Sequence, residues 1–174
     1  MSVQQIRRLG DPVLRERCRD VETFDDALRT LAKEMIEAMY AAPGVGLAAN
    51  QVGLALRLFV YDAGDGSGPG AVANPEILEA DGEQNEDEGC LSIPGVYRPT
   101  RRALRVRLRG VDLDGAPVSI EAEELLARIF QHETDHLNGM LYVDRLPEPD
   151  RRSALAEFRD IELGATPSPA PTSE

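Results

Sequence analysis

Apolar residues recur at helical spacing in three stretches of the chain and alternate at strand spacing in several others. Leu28, Leu31, Met35, Ile36 and Met39 share one helical face, because residues three and four apart lie one turn from each other. Thr23 with Asp26 supplies an N-terminal capping pattern, and Pro43-Gly44 sets the stop, so a helix of about four turns is predicted between them. Leu125, Leu126, Ile129, Phe130 and Leu137 give a second helix its apolar side, with Gly139 as its end. Pro147 to Asp150 introduce a third helix, roughly 150–163, with Leu155, Phe158 and Ile161 on one face. Pro12, after the turn signal Gly10-Asp11, opens a short helical turn.

Leu56 to Tyr61 reads as a strand, and Gly64 to Gly70 as a flexible loop. Ala71 to Ala73 and Ile77-Leu78 read as short strands on either side of a turn at Asn74-Pro75. Leu104, Val106 and Leu108 alternate, and the parity then shifts to Val111 and Leu113, which predicts a bulge at Gly110. Asp114-Gly115 is a hairpin turn to a strand with Val118 and Ile120, and Leu141 to Val143 reads as short and extended. Residues 164–174 are Pro, Ser, Thr and Ala in the main and are expected to be a disordered tail to a single domain, 1–163.

Composition narrows the function. A chain of 174 residues with 42% hydrophobic positions can bury one real core, built mostly of aliphatic side chains because tryptophan is absent. The net charge of −12 argues against a DNA or general nucleic-acid binder. No apolar run reaches membrane-spanning length and the first residues are charged, so neither a membrane span nor a secretory signal is expected. Cys18 and Cys90 are too few for a disulfide scaffold and suit a reducing cytoplasm. Arg98, Arg101, Arg102, Arg105, Arg107 and Arg109 crowd together, alternating in part with apolar residues. They read as the solvated face of a strand rather than a site for an anionic partner. The acidic run over 81–88 reads as solvated too.

The candidate chemistry sits on the second helix. His132-Glu133-Thr134-Asp135-His136 holds both histidines of the chain, four apart and on one helical face, with a glutamate beside the first. Two imidazoles so placed can grip one metal ion, and Glu133 can then work on water bound to it. They share the side of Leu125 and Ile129, and an inward-facing histidine pair without a ligand is costly. A catalytic site of this kind needs about three protein ligands. The third is either a downstream carboxylate (Glu148, Asp150, Glu157 or Asp160), as in a metallopeptidase, or the thiolate of Cys90. Gly44 to Gly53 is rich in glycine and alanine and permits close backbone approach, but it lacks the Lys-Ser/Thr pair of a phosphate loop.

Three stretches together resemble the peptide deformylase family: G-V-G-L-A-A-N-Q at 44–51, E-G-C-L-S at 88–92 and Q-H-E-T-D-H at 131–136. The stretch I-R-R-L-G-D-P-V-L-R at 6–15 is similar as well, and the resemblance covers residues 3–163. It implies an α+β single domain, mostly antiparallel sheets packed around a central metal-binding helix, with N-terminal and C-terminal helices. It implies one divalent metal, usually Fe(II), with Zn(II), Ni(II) or Co(II) as alternatives, held by Cys90, His132 and His136. The implied reaction removes the formyl group from N-formylmethionyl nascent peptides. Water activated by the metal attacks the formyl carbon, and Glu133 serves as general base and then acid. The Gln51 side-chain amide and the Leu91 backbone N–H would stabilise the oxyanion, and Asp135 would help orient the site from behind.

The peptide backbone would lie along Val45-Gly46 and Gly89. The methionine side chain would meet Val45, Leu125, Ile129 and the flank of His132. Arg128 departs from many relatives, which carry an apolar residue there, and its stem is expected at the pocket rim with its head in water. The segment after Pro147 mixes Arg151, Arg152 and Arg159 with acids, whereas in some relatives a basic helix there docks the ribosome; the ribosome near the exit tunnel stays open as a partner. A monomeric cytoplasmic enzyme is the expectation. A metallopeptidase with a downstream acidic ligand and a non-catalytic metal-stabilised module are the rivals.

Overall fold

The structure is a computed structural model and describes residues 5–164. In chain order the elements are α1 (Asp26–Ala41), β1 (Gly46–Ala48), β2 (Leu58–Tyr61), β3 (Gly70–Asp81), β4 (Gln84–Cys90) and β5 (Ile93–Arg102). Then come β6 (Arg105–Val111), β7 (Pro117–Glu123), α2 (Glu124–Leu137) and α3 (Glu148–Glu162). Single 3-10 turns occupy Pro12–Arg15, Ala49–Val52 and Tyr142–Arg145. Strands β1-β2-β3-β6-β7 form one antiparallel sheet in that order, and β4 and β5 form a two-stranded sheet of their own. The architecture is α+β. The tail expected to be disordered lies, from residue 165 on, outside the described residues.

The three helices cover different surfaces. α1 buries Leu28, Ala32, Met35, Ala38 and Met39 against Leu47, Leu58 and Val60 of β1 and β2. Its cap is Asp25, whose carboxylate accepts the Leu28 N–H at 3.0 Å, rather than Thr23. α2 follows β7 without a loop, the chain turning at Glu124 with φ of 51°. It lays Ala127, Phe130 and Leu137 onto Phe59, Val72, Val106 and Leu108 of the large sheet. The Phe130 ring meets Tyr61 edge-on at 4.9 Å between centroids. α3 packs Ala154 and Phe158 against Ile93 and Val96 of β5 and against Leu141 to Val143. Among the described residues, no helix is long and apolar enough to cross a membrane.

Three local expectations are corrected. Asn74-Pro75 is not a turn between two strands but a bulge inside one long strand. Ala73 pairs with Val111 and Glu76 with Arg109, so β3 carries one residue more than β6 between these pairs. The break in parity does fall at the level of Gly110, yet the extra residue belongs to β3, and the β6–β7 register runs through Gly110↔Val118 unbroken. A Cβ on Gly110 would stand 2.4 Å from Val72 Cγ1 and 2.9 Å from the Ala73 carbonyl. Of Leu141 to Val143 only Leu141 is extended; Tyr142 and Val143 begin a 3-10 turn whose Asp144 carboxylate accepts the Leu141 N–H at 2.9 Å.

The charge runs divide. Arg105, Arg107 and Arg109 pair across strands with Asp81, Glu79 and Glu76 on an exposed face, as their alternation suggests. Arg98 reaches Glu157 of α3 at 2.7 Å. Arg102 and Glu88 are the departures: both are buried, Glu88 at 4% exposure, and they bind each other.

Candidate metal centre

Two elements deliver the donor atoms. α2 turns His132 and His136 inward from successive turns, and β4 ends on Cys90 just before the chain reverses into β5. The Cys90 sulfur lies 3.3 Å from His136 Nε2, and His136 Nε2 lies 3.1 Å from His132 Nε2. All three ligand atoms fall within 4.8 Å of one another, and all three residues are buried. Among the described residues no other set of histidine, cysteine and carboxylate atoms converges in this way. The downstream carboxylates Glu148, Asp150, Glu157 and Asp160 are therefore not in the cluster; Glu157, for one, is bound to Arg98. Buried donors this close must share either protons or a cation, and a thiol with two imidazoles suits a divalent transition metal.

A buried ion network fixes the first imidazole. Glu88, two residues before Cys90 on β4, accepts from His132 Nδ1 at 2.8 Å, which directs Nε2 to the cluster. The same carboxylate accepts from Arg102 at 2.6 and 3.0 Å and from Arg128 Nη1 at 2.7 Å. Arg102 continues to Asp135 at 2.7 Å, and Asp135 continues to Arg145 at 2.7 Å. Asp135 thus does stand behind the donors. Burial alone would raise the Glu88 carboxyl; its bonds to His132 and Arg102 outweigh this and hold it well below the usual carboxylate range. Burial pushes His132 down, but Cys90 and Glu88 raise it overall, whereas burial and the neighbouring His132 leave His136 well below its ordinary value. Asn50 adds a brace by donating to the His136 carbonyl at 2.7 Å.

The working groups border a cavity of about 450 Å³. It is lined by Cys90, His132 and Glu133, by Gln51 and Leu91, and by Val45, Gly46, Gly89, Leu125, Arg128 and Ile129. Every residue expected at the site is thereby brought to one place, His136 through its contact with His132. A larger and more polar groove of about 620 Å³ opens behind α2 beside Gln131, Thr134 and Asp135. It holds none of the converging donors, whereas Cys90 and His132 line the smaller cavity. Glu133 is buried and its Oε2 has no hydrogen-bond partner. Burial pushes its carboxyl up to about 7, against the pull of His132. Gln51 is oriented at both ends: its Oε1 accepts the Ala48 N–H at 2.9 Å, and its Nε2 points to Ser92 Oγ at 3.1 Å and the Cys90 sulfur at 3.7 Å. Leu125 and Val45 stand half-exposed at the rim, and Ile129 is buried.

Some placements differ from expectation or were not foreseen. The Arg128 head is not in water; the residue is buried and ion-paired with Glu88. Gly46 and Gly89 leave room for protein as well as for a ligand. A Cβ on Gly46 would meet Glu133 Oε1 at 2.5 Å, and one on Gly89 would meet the Tyr97 ring at 2.4 Å. Glu88, Arg102, Asn50, Ser92 and Tyr97 escaped sequence reasoning as site residues. The available signal for Glu88 was its spacing of two from Cys90, which puts both side chains on one face of a strand.

Comparison with known proteins agrees with this geometry. A family model described as polypeptide deformylase matches residues 3–152. A peptide deformylase of Clostridium botulinum is 54% identical over 145 residues, covering 83% of this chain and 97% of its own length. One of Acidothermus cellulolyticus is 49% identical over 162 residues, covering 93% of this chain and 89% of its own. The crystal structure of a peptide deformylase from Legionella pneumophila superposes with a TM-score of 0.88 at 43% identity, covering 93% of this chain and 96% of that one. The matched region contains the converging Cys90, His132 and His136, and the chain belongs to the peptide deformylase family.

Proposed function

We propose that residues 1–163 act as one catalytic unit that removes the N-formyl group from the initiator methionine of nascent peptides and releases formate. The observation that carries the reading is Glu133: a buried carboxyl with one free oxygen, pushed up to about 7, beside three converging metal donors. A general base works best with a pKa near the operating pH. Cys90, His132 and His136 would hold a divalent ion, which would supply Lewis-acid polarisation and make the attacking water more acidic. Fe(II) is the expected ion, and Zn(II), Ni(II) and Co(II) suit the same donors.

Glu133 takes a proton from the attacking water and returns it to the departing amine, so one carboxyl serves both steps. Gln51 Nε2, held by the Ala48 contact, and the Leu91 N–H face the oxygen on which charge develops. One such donor is worth about 10²–10³ in rate. The peptide backbone runs between Val45-Gly46 and Gly89, and the first side chain enters among Leu125, Arg128 and Ile129. The enzyme is proposed to act as a monomer in the cytoplasm.

The test is formate release from formyl-Met-Ala-Ser, run anaerobically with Fe(II) and repeated with Ni(II). Glu133→Gln should abolish turnover while metal content is kept, and Cys90→Ser should lose metal or turnover. Wild-type activity in Glu133→Gln would remove the proposed mechanism.

A further inference from the structure

One guanidinium nitrogen beside the substrate cavity is left without a partner. Arg128 stands one helical turn before His132 and is 5% exposed. Its Nη1 donates to Glu88 Oε1 at 2.7 Å, while its Nη2 is shut off from solvent and has no hydrogen-bond partner. Glu88 has no capacity to spare, because its two oxygens already accept from His132, Arg128 and both Arg102 nitrogens. A buried N–H of a cation left unpaired is costly. Arg128 lines the same cavity as Leu125, Ile129 and His132, so a side chain that enters and turns the guanidinium toward itself can bring the missing acceptor.

On the deformylase reading, on which this inference rests, the first side chain of the formylated peptide is what enters. A methionine thioether is a weak acceptor. Its sulfoxide has the same chain length and carries a polar oxygen on the sulfur, one atom before the terminal methyl. We propose that Arg128 is a specificity-determining residue that lets this enzyme deformylate peptides whose first side chain carries a hydrogen-bond acceptor near its end, methionine sulfoxide in particular. An apolar residue at 128 would leave that oxygen buried and unpaired, which is how a pocket rejects a polar side chain. The bond broken stays the same; only the range of acceptable first residues widens.

The experiment measures kcat/KM by formate release from formyl-methionyl, formyl-norleucyl and formyl-methionine-sulfoxide forms of one tripeptide. Norleucine keeps the shape and lacks an acceptor. The wild type should cleave all three, and Arg128→Met should lower the sulfoxide-to-norleucine ratio about ten- to a hundredfold, the value of one hydrogen bond to a charged donor. Arg128→Lys, which keeps a cationic donor, should restore part of the ratio. A role confined to holding Glu88 would depress all three substrates together, and an unmoved ratio overturns the inference. A wild type that cleaves the norleucine peptide and not the sulfoxide overturns it while leaving the deformylase reading intact, and requires no variant. A wild type that cleaves none of the three overturns both.

Discussion

Glu88→Gln is the sharpest perturbation of this site, because it keeps side-chain size and removes only charge and one acceptor oxygen. In the wild type Oε1 accepts from Arg102 Nε at 3.0 Å and Arg128 Nη1 at 2.7 Å. Oε2 accepts from Arg102 Nη2 at 2.6 Å and His132 Nδ1 at 2.8 Å. An amide has one oxygen and one NH2 group. Whichever way it turns, two donors then face a donor. Two lost bonds to charged groups come to about 3–6 kcal/mol. Removing one member of a buried ion pair costs about 3–5 kcal/mol by independent measure, and the ranges overlap. We expect about 3–5 kcal/mol less stability in the metal-free protein, a large share of a typical margin of about 5–15 kcal/mol.

The folded carboxyl is held below its unfolded value, so its contribution is complete above the ordinary carboxylate range and fades as pH falls further. Because Glu88 also raises His132, the difference between wild type and variant should widen as pH falls toward about 6.5, the ordinary histidine value, and shrink below about pH 4. Loss of an outer partner of a ligand histidine lowers metal affinity about 10- to 100-fold. The stabilisation by a fixed concentration of Zn(II) over chelator should thus be smaller in the variant by about 1.4–2.8 kcal/mol. Urea unfolding with and without chelator reads both quantities. A loss under about 1 kcal/mol in chelator, with an unchanged increment on adding metal, would refute the reasoning.

Gly46→Ala places a methyl 2.5 Å from Glu133 Oε1, so it should displace the carboxylate and cut kcat about a hundredfold with the fold retained, checked by formate release and circular dichroism. Burial pushes the Cys18 thiol up to about 11, against the pull of Arg57, so it stays neutral in the fold while ionising in the unfolded chain. Its contribution is full below about pH 9 and is lost between about 9 and 11, up to about 2 kcal/mol. Cys18→Ala should flatten that part of the stability profile, and an equal slope in both proteins would count against it. Arg107→Ala removes one exposed cross-strand pair with Glu79 and should move the thermal midpoint by less than about 2 °C in a melting scan.

What could be read from the chain follows the range over which each feature is determined. α1, α2 and α3 were legible because their apolar residues repeat at helical spacing within one segment. Asn74-Pro75 misled because a proline in a strand usually means a turn. Here it sits at a bulge, and the Asn74 side chain is held by the Val21 backbone N–H at 2.7 Å and carbonyl at 3.0 Å, contacts that no local pattern reports. His132 and His136 announced themselves by sharing one helix. Cys90 arrives from a separate strand, and a lone cysteine is by default a core residue, so its role came into view through the family resemblance and not through spacing. Glu88 and Arg102 were read as solvated because charge runs usually are, and the Arg128 head because a long charged side chain usually reaches out to water. Their burial depends on β4, β5 and α2 meeting.

That meeting also explains why charges rather than apolar side chains fill the space behind His132. A well-packed apolar cluster of similar volume is often as stable as a buried ion network or more so. Stability therefore does not account for the line from His132 through Glu88, Arg102 and Asp135 to the half-exposed Arg145. Direction does. Glu88 lies on the strand that ends in Cys90 and grips the helix that carries both histidines. Asp135 lies next to His136 and is tied through Arg102 to β5, the partner strand of β4. The thiol and the imidazoles, which come from elements more than forty residues apart in the chain, are thus clamped to each other by groups beside each donor. Ligand distances have to hold within about 0.2 Å for a metal site. Hydrogen bonds with fixed donors and acceptors impose that tolerance, and interchangeable apolar contacts do not.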